Sequence, residues 1–243
     1  MEPRVVAVTG AAGYIGKILL GELLKKPSIR LIIATDIRPL SLTHPKIKFF
    51  QRDISKPLDG FLGDYDVDTL VHLAFILRQT RLRNRSRRVN MKGTVNLLAA
   101  CEQAQIRRFI VLSSSTVYGA HGDNPVLREI DQCRPPRAFH YASDKLFMEN
   151  LFKQYEKDHP EILLTILRSS IVMGPGAQNF ITRALFKPFL IGIRGNDPAL
   201  QFLHEDDLAN ILWKFIQASH RGIFNVAAPG TVLWSELARI SHR

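Results

Sequence analysis

Residues 5–16 read Val5-Val-Ala-Val-Thr-Gly10-Ala-Ala-Gly13-Tyr-Ile-Gly16: a short apolar strand, a turn with three spaced glycines, and the start of an amphipathic helix that the pattern carries to Lys26. A strand that stops at a glycine turn and re-enters as a helix aims free backbone N–H groups and the positive helix end at one point, which suits a pyrophosphate. Gly10 permits the sharp turn, Gly13 lets backbone approach phosphates, and Gly16 lets helix and strand pack closely. With Tyr14 and Ile15 they form the candidate phosphate-binding turn.

Glycines at this spacing also occur in turns that hold no ligand. Here the context is a predicted strand on one side and a predicted helix on the other. The next strand, Leu31 to Thr35, ends in Asp36, about 20 residues after the last glycine, where a dinucleotide fingerprint places a ribose-binding carboxylate. A kinase-type phosphate loop is excluded. Five residues rather than four separate Gly10 from Gly16, and Lys17 is followed by Ile18 instead of Ser or Thr, so the magnesium-binding hydroxyl is missing.

The chain has 243 residues, 46% hydrophobic and 23% charged, a composition that fits a soluble α/β protein with a sizeable core. No apolar run approaches the ~18 residues of a membrane span. The first strand begins within a few residues of Met1, which leaves no room for a signal peptide. Cys101 in a helix pattern and Cys133 in a loop lack metal or redox spacing and fit a reducing cytoplasm. The net charge of +11 is partly concentrated between Arg78 and Arg88, where six arginines fall in eleven residues. Such a run is ordinarily a solvated helix face or a loop. No aromatic platform is interleaved with it and no nucleic-acid module matches, so an anionic small molecule is the better functional partner.

Strand and helix patterns then alternate, which predicts a doubly wound, mostly parallel sheet covered by helices on both faces. Ile47 to Phe50 forms the third strand. Beyond it Asp53 is placed to accept from an adenine amine and Ile54 to pack on its ring, or Asp53 is a plain turn residue. Leu70 to Leu73 forms the fourth; Leu73 and Ala74 at its end let cofactor backbone pass close by, and His72 reads as a packed strand histidine. A helix starting near Asn90 is expected to bury Val95, Leu98 and Ala99, with Asn90 capping it or steadying a neighbouring strand. Phe109 to Leu112, the fifth strand, runs into Ser113-Ser114-Ser115-Thr116, four hydroxyls that packing does not explain, at the sheet end where this architecture places chemistry.

The helix from Phe139 to Lys157 carries Tyr141 and Lys145 at i, i+4, on one face one turn apart. A neighbouring ammonium stabilises phenolate, which suits proton exchange. The sixth strand, Ile162 to Leu167, is followed by Arg168-Ser-Ser-Ile and a Gly-Pro-Gly break. Asn179 to Asp197, with Arg183, Lys187 and Arg194, reads as a short helix and loop of a second lobe. A strand and helix start follow from Phe202, a further strand covers Gly222 to Ala227, and a helix begins at Trp234. His204, Glu205, Asp206 and Asp207 are adjacent rather than one turn apart, so no metal site is expected. The expected division is 1–175 for the nucleotide domain and 176–243 for a small lobe, with about 201–227 returning to the core.

Taken together, the glycine turn, Asp36, Asp53-Ile54, His72-Leu-Ala74, Asn90, Ser113-Ser-Ser-Thr-Val-Tyr118-Gly and Tyr141-Ala-Ser-Asp-Lys145 resemble the extended short-chain dehydrogenase/reductases of the NAD-dependent epimerase/dehydratase group, over nearly the whole chain. The resemblance implies a Rossmann-type fold and NAD as cofactor. It makes Tyr141 the catalytic acid/base, Lys145 its electrostatic partner and ribose ligand, and Ser114, four residues before Tyr118, the hydroxyl that orients substrate. Asp36 would take the adenosine ribose and repel a 2′-phosphate, favouring NAD over NADP, while Arg38 partly offsets that charge.

The implied chemistry is hydride transfer from a secondary alcohol, with a nucleotide sugar as leading substrate. A hydroxysteroid-type or other hydrophobic-alcohol dehydrogenase is the alternative, and a non-catalytic NAD sensor is a third. Ser115 and Thr116 stand where dehydratases of the group carry Asp-Glu, and Arg168-Ser-Ser-Ile where galactose epimerases carry Arg-Tyr-Phe-Asn. Members of the group continue for several tens of residues further, so part of the substrate lobe is expected beyond residue 243, and helices corresponding to 90–104 and 139–157 often pair in homodimers.

Overall fold

The computed structural model describes residues 4–58, 60–77, 83–121, 126–187, 190–192 and 194–241. In chain order the elements are β1 (Arg4–Thr9), α1 (Tyr14–Leu24), β2 (Ile29–Asp36), β3 (Ile47–Gln51), β4 (Thr69–His72), α2 (Arg83–Gln103), β5 (Arg108–Ser114), α3 (His140–Asp158), β6 (Leu163–Ser169), β7 (Ile171–Met173), α4 (Phe180–Leu185), β8 (Ala199–Leu200), β9 (Phe202–His204), α5 (Glu205–Gln217), β10 (Gly222–Val226), β11 (Val232–Leu233) and α6 (Trp234–Ile240).

Seven strands form one sheet in the order β3-β2-β1-β4-β5-β6-β10, and every neighbouring pair is parallel. A buried parallel sheet needs apolar residues on both faces, and β1 supplies them by alternation. Val5 and Ala7 enter one core with Leu97 and Cys101 of α2 and Met148 and Phe152 of α3. Val6 and Val8 enter the other with Leu20 of α1 and Leu212 of α5. Each such aliphatic side chain contributes about 1.5–3 kcal/mol when withdrawn from water. The chain winds outward in both directions from β1 and β4, so the strand order reverses between them. At such a point the connecting loops part and leave a crevice at the carboxyl ends of the strands.

Two expectations for α2 need correction. The helix begins at Arg83, not near Asn90, so the second half of the arginine-rich run is its first turns, while Arg78 to Leu82 lie outside the described residues. Arg87 reaches across to α3, its Nε 3.5 Å from Asp144 Oδ1, which gives this polar end a tertiary anchor. The buried face also differs in phase. Leu98 is buried with Thr94, Leu97, Ala100 and Cys101, whereas Val95 is half exposed and Ala99 exposed. Residues 94, 97, 98 and 101 form the i, i+3, i+4, i+7 stripe; packing on the sheet chose that stripe.

His72 is fully enclosed at the end of β4. Its Nδ1 lies 2.7 Å from Thr9 Oγ1 and its ring packs on Phe152. Burial, reinforced by the nearby Lys145 charge, holds its pKa down at about 3. The folded value lies below the unfolded one of about 6.5, so the neutral ring's contribution is complete above the unfolded pKa. It is lost as pH falls toward the folded value, by up to about 1.4 kcal/mol per pH unit. Urea unfolding between about pH 7 and pH 5 should therefore show a shallower loss of stability for His72→Gln than for the native chain. Identical slopes would place the acid sensitivity in other groups.

Candidate active site

The turn between β1 and α1 is held by its neighbours. Gly10 has φ +73°, and a Cβ there would stand 2.7 Å from the Ala74 nitrogen; only glycine meets both conditions without strain. Leu73 and Ala74 cross directly against it, their N–H groups donating to the Thr9 carbonyl and hydroxyl at 3.2 and 3.3 Å. Asn90 lies inside α2 rather than at its start. Its side chain accepts from the Ile76 N–H at 2.9 Å and donates to the Ile76 carbonyl, tying down the segment after β4. The expected cap is thus replaced by the second reading of Asn90.

Gly13 is the N-cap of α1, with no side-chain cap and no acidic residue in the first turn. The leading N–H groups of a helix have no intrahelical acceptor, so this end is shaped for an anion. A side chain at Gly16 would collide with the Gly10 carbonyl oxygen. Ile15 packs into the core between α1 and α5, and the Tyr14 hydroxyl donates to the Glu205 carboxylate.

Asp36, at the end of β2, is buried beside this turn. Its Oδ2 accepts from the Ala12 N–H at 3.0 Å, and Arg38 donates to it through both backbone and guanidinium. Asp53 accepts from the Ser55 N–H at 2.9 Å within its own turn. The Ile54 side chain lies against Gly93 of α2, so close that a Cβ at Gly93 would fall 2.7 Å from its Cδ1.

The second half of the site stands where β5 meets α3. Ser114 is the last residue of β5 and is buried; its Oγ accepts from the Thr116 N–H and hydroxyl at 3.3 and 3.0 Å. Tyr141 and Lys145 share the sheet-facing side of α3. Burial pushes the Tyr141 phenol up to about 12, and the nearby Ser114 hydroxyl pulls the other way. Lys145 is 5% exposed. Its Nζ donates to the Leu112 carbonyl at 2.7 Å and lies 4.1 Å from the centroid of the Phe75 ring. Burial lowers its pKa to about 7, against an opposing pull from Glu149. Phe75 meets Tyr141 edge-on, and Phe139 packs on the same ring.

Behind these groups lies a polar network that the sequence reading did not find. Arg168 and Glu149 form an ion pair at 2.8 Å, with side chains 2% and 0% exposed. Ser113 donates to Glu149 at 2.6 Å, Arg168 to the Tyr118 hydroxyl at 2.8 Å, and Tyr118 to Asn225 at 2.7 Å. Burial alone would raise the Glu149 carboxyl. Hydrogen bonds from Arg168 and Ser113, with the charges of Arg168 and Lys153, outweigh it and leave the group below its ordinary range. The available signal was Glu149 itself, which extends the Tyr141, Lys145 stripe by a further turn along a face otherwise lined by Ala142, Met148 and Phe152. The run of hydroxyls is accordingly split: Ser113 serves the network, and Thr116 supports Ser114.

Glycine turn, Asp36, Leu73-Ala74 and Ser114 occupy the carboxyl ends of β1, β2, β4 and β5, and α3 brings Tyr141 and Lys145 to the last of these. A fold of this kind, with a phenol, a hydroxyl and an ammonium at one end of a glycine-turn sheet, defines a short-chain dehydrogenase/reductase architecture. The model of the NAD dependent epimerase/dehydratase family matches residues 6–227, and the chain belongs to that family. It is 31% identical over 250 residues to an uncharacterized protein of Mycobacterium tuberculosis, covering 99% of this chain and 66% of that one. It is 27% identical over 232 residues to short-chain dehydrogenase/reductase family 42E member 1 of Homo sapiens, covering 85% of this chain and 56% of the relative. The chain thus spans just over half to about two thirds of the length of these curated relatives. Among solved structures, MoeE5 in complex with UDP-glucose and NAD superposes with a TM-score of 0.81 at 30% identity, covering 97% of this chain and 80% of that one. Among the described residues no helix is long and apolar enough to cross a membrane.

Proposed function

We propose that this chain is the NAD-binding and catalytic part of an epimerase or dehydrogenase that oxidises a secondary alcohol, with a nucleotide sugar as the leading substrate class. The observation that carries the reading is the approach of Tyr141 to Ser114 at the sheet end that also bears the glycine turn, with buried Lys145 one turn along α3 and bonded to the Leu112 carbonyl. MoeE5, which binds UDP-glucose and NAD, supports the choice of substrate and cofactor. Residues 1–175 would form the dinucleotide domain and 176–243 part of a substrate lobe.

The residues present fit a dinucleotide. The uncapped start of α1 and the close backbone of Gly10 and Ala74 suit a pyrophosphate, and buried Asp36 stands where a ribose carboxylate belongs. Gly13, Tyr14, Ile15 and Gly16 would cradle the phosphates through their backbone. Leu73 and Ala74 would wall the passage, and Asn90 would hold that wall in place. Asp53 and Ile54 would flank the adenine. Lys145 would bind the nicotinamide ribose. When bound, NAD supplies the hydride acceptor and a positive charge.

The rest is done by the chain. Ser114 holds the substrate hydroxyl and aims it at Tyr141. Tyr141 accepts the alcohol proton as the carbon gives up its hydride, so the alcohol leaves as a ketone. A phenol held near 12 is a poor base at neutrality, and Lys145, charged below about pH 7, favours the phenolate. In an epimerase the ketone is reduced again on its other face, with Tyr141 returning the proton. A merely sensory role would need only the nucleotide half.

A second reading rests on the aromatic collar. Phe75 and Phe139 both pack on the Tyr141 ring, and Phe139 is 37% exposed, so the approach to the phenol is partly apolar and suits a hydroxysteroid-type alcohol. Incubation with NAD and UDP-glucose is expected to yield reduced nicotinamide or an epimerised sugar, read by fluorescence and chromatography. Turnover of a hydroxysteroid but not of the sugar would move the assignment to the second reading. Bound NAD with neither product would leave only a sensor.

A further inference from the structure

Lys145 holds an ionisable group inside the core, and among the described residues no carboxylate is hydrogen-bonded to it. A cation withdrawn from water needs a compensating partner. Glu149, one turn along α3, is bonded to Ser113, Arg168 and Lys153 and acts on Lys145 only through space. His72 of β4 feels the same ammonium but is itself held neutral by burial, and Tyr141, one turn back, is held as a phenol. From β5 the Leu112 carbonyl accepts one N–H at 2.7 Å. An ammonium has three donors, so that single bond leaves most of its charge unanswered.

The remaining neighbour is Phe75. Lys145 Nζ stands 4.1 Å from the centroid of its ring, inside the ~6 Å over which the negative face of an aromatic ring attracts a cation. The same ring meets Tyr141 at a centroid distance of 5.6 Å and an interplanar angle of 90°, so one side chain touches both members of the pair. Its backbone is fixed from both sides. Before it, the Leu73 and Ala74 N–H groups donate to the Thr9 carbonyl and hydroxyl. After it, the Asn90 side chain accepts from the Ile76 N–H and donates to the Ile76 carbonyl. Between these anchors Phe75 packs against the core shared by α2 and α3. An aliphatic residue could fill the same space, but only an aromatic face adds a pull that depends on the charge of Lys145.

We propose that Phe75 is a positioning residue for the proton transfer: its ring face and the Leu112 carbonyl together hold the Lys145 ammonium charged and in place, and through that charge sustain the phenolate of Tyr141. The proposal rests on the catalytic reading above and deepens it. Weakening the ring's pull disfavours the charged form, so the ammonium gives up its proton at lower pH. The support for the phenolate is then lost at lower pH as well.

The test replaces Phe75 by mono-, di- and trifluorinated phenylalanine, which nearly keep the ring's shape while drawing density from its face, with Phe75→Leu as the form that lacks the face. The first readout is the Lys145 titration, followed by NMR of the chain labelled at lysine Cε, without coenzyme; its signal is the one missing from Lys145→Met. The midpoint should fall stepwise along the fluorine series, by about half a pH unit to one unit in all, and Phe75→Leu should match the trifluorinated ring. The second readout is the pH profile of kcat with NAD and whichever of the two proposed alcohols is turned over. Its alkaline limb should move down by the same steps while KM changes less than about twofold. A constant midpoint across the series would make Phe75 a packing residue and overturn this inference, leaving the catalytic reading untouched. A midpoint that steps down while the kcat profile stays put also overturns it, since the charge would then do nothing for the phenolate. If the native chain turns over neither alcohol, the catalytic reading falls and takes this inference with it.

Discussion

Tyr141→Phe is expected to lower turnover by about a hundred- to ten-thousandfold, the usual worth of a positioned acid/base, while NAD binding changes little. The reason is local. The substituted ring keeps its contacts with Phe75 and Phe139 and loses only the hydroxyl that faces Ser114, so the fold should lose no more than about 1 kcal/mol. The measurements are kcat for whichever of the two proposed alcohols is turned over and calorimetric NAD affinity for both forms. Turnover within about tenfold of the native value would move proton transfer to another group, and Ser114 would be the first to examine. A parallel loss of NAD affinity would make Tyr141 a cofactor contact rather than a base.

Arg168→Leu is expected to cost about 3–5 kcal/mol of folding stability, because it leaves the buried Glu149 carboxylate without its buried partner and facing only Lys153, whose side chain is 36% exposed. The pH dependence gives the prediction a second edge. In the native chain the folded Glu149 pKa lies below its unfolded value, so its contribution is full above the unfolded carboxylate pKa and is lost as pH falls through the folded one. Without Arg168, burial dominates and raises the carboxyl, so the variant should lie closest to the native chain under mildly acidic conditions and furthest from it near neutrality. Replacing Glu149 as well, as Arg168→Leu with Glu149→Leu, should recover most of the loss, since a well-packed apolar pair avoids the desolvation of both charges. Urea unfolding of the three proteins decides it. A single-variant cost below about 1 kcal/mol would mean that water reaches the pair after all.

Much of this was legible in the chain because the relevant signals are local. The strand, glycine turn and helix at 5–16 lie in one stretch, and Tyr141 with Lys145 are one helical turn apart. Asp36 and Ser114 sit at strand ends that alternation marks out. The readings that failed depend on partners far along the chain. The start of α2 is polar, so no apolar period announces it, and its anchor is Asp144, more than fifty residues further on. Val95 and Ala99 have the hydrophobicity of a buried face, but the stripe that packs is set by the sheet beneath. Arg168 was read only as the residue before Ser169-Ser-Ile, where the chain leaves the galactose-epimerase pattern; that it is half of a buried ion pair was hidden because its partner Glu149 comes from a separate helix. Arg38 was read as a charge near Asp36; that both its backbone and its guanidinium donate to that carboxylate could be seen only once the turn had three-dimensional form.

Asn225 on β10 closes the network behind Ser114. It takes the Tyr118 hydroxyl across 107 residues of sequence, and its own N–H and amide donate to Glu129 and to the Leu127 carbonyl. During synthesis, the segment carrying Ser114 and Tyr118 leaves the ribosome long before Asn225 is made. Pairings so remote are slow to form. The growing polypeptide therefore holds an unfinished sheet edge and a phenol without its final acceptor until Asn225 is made, and a helper that shields β6 until β10 arrives would raise the yield of correctly folded chain.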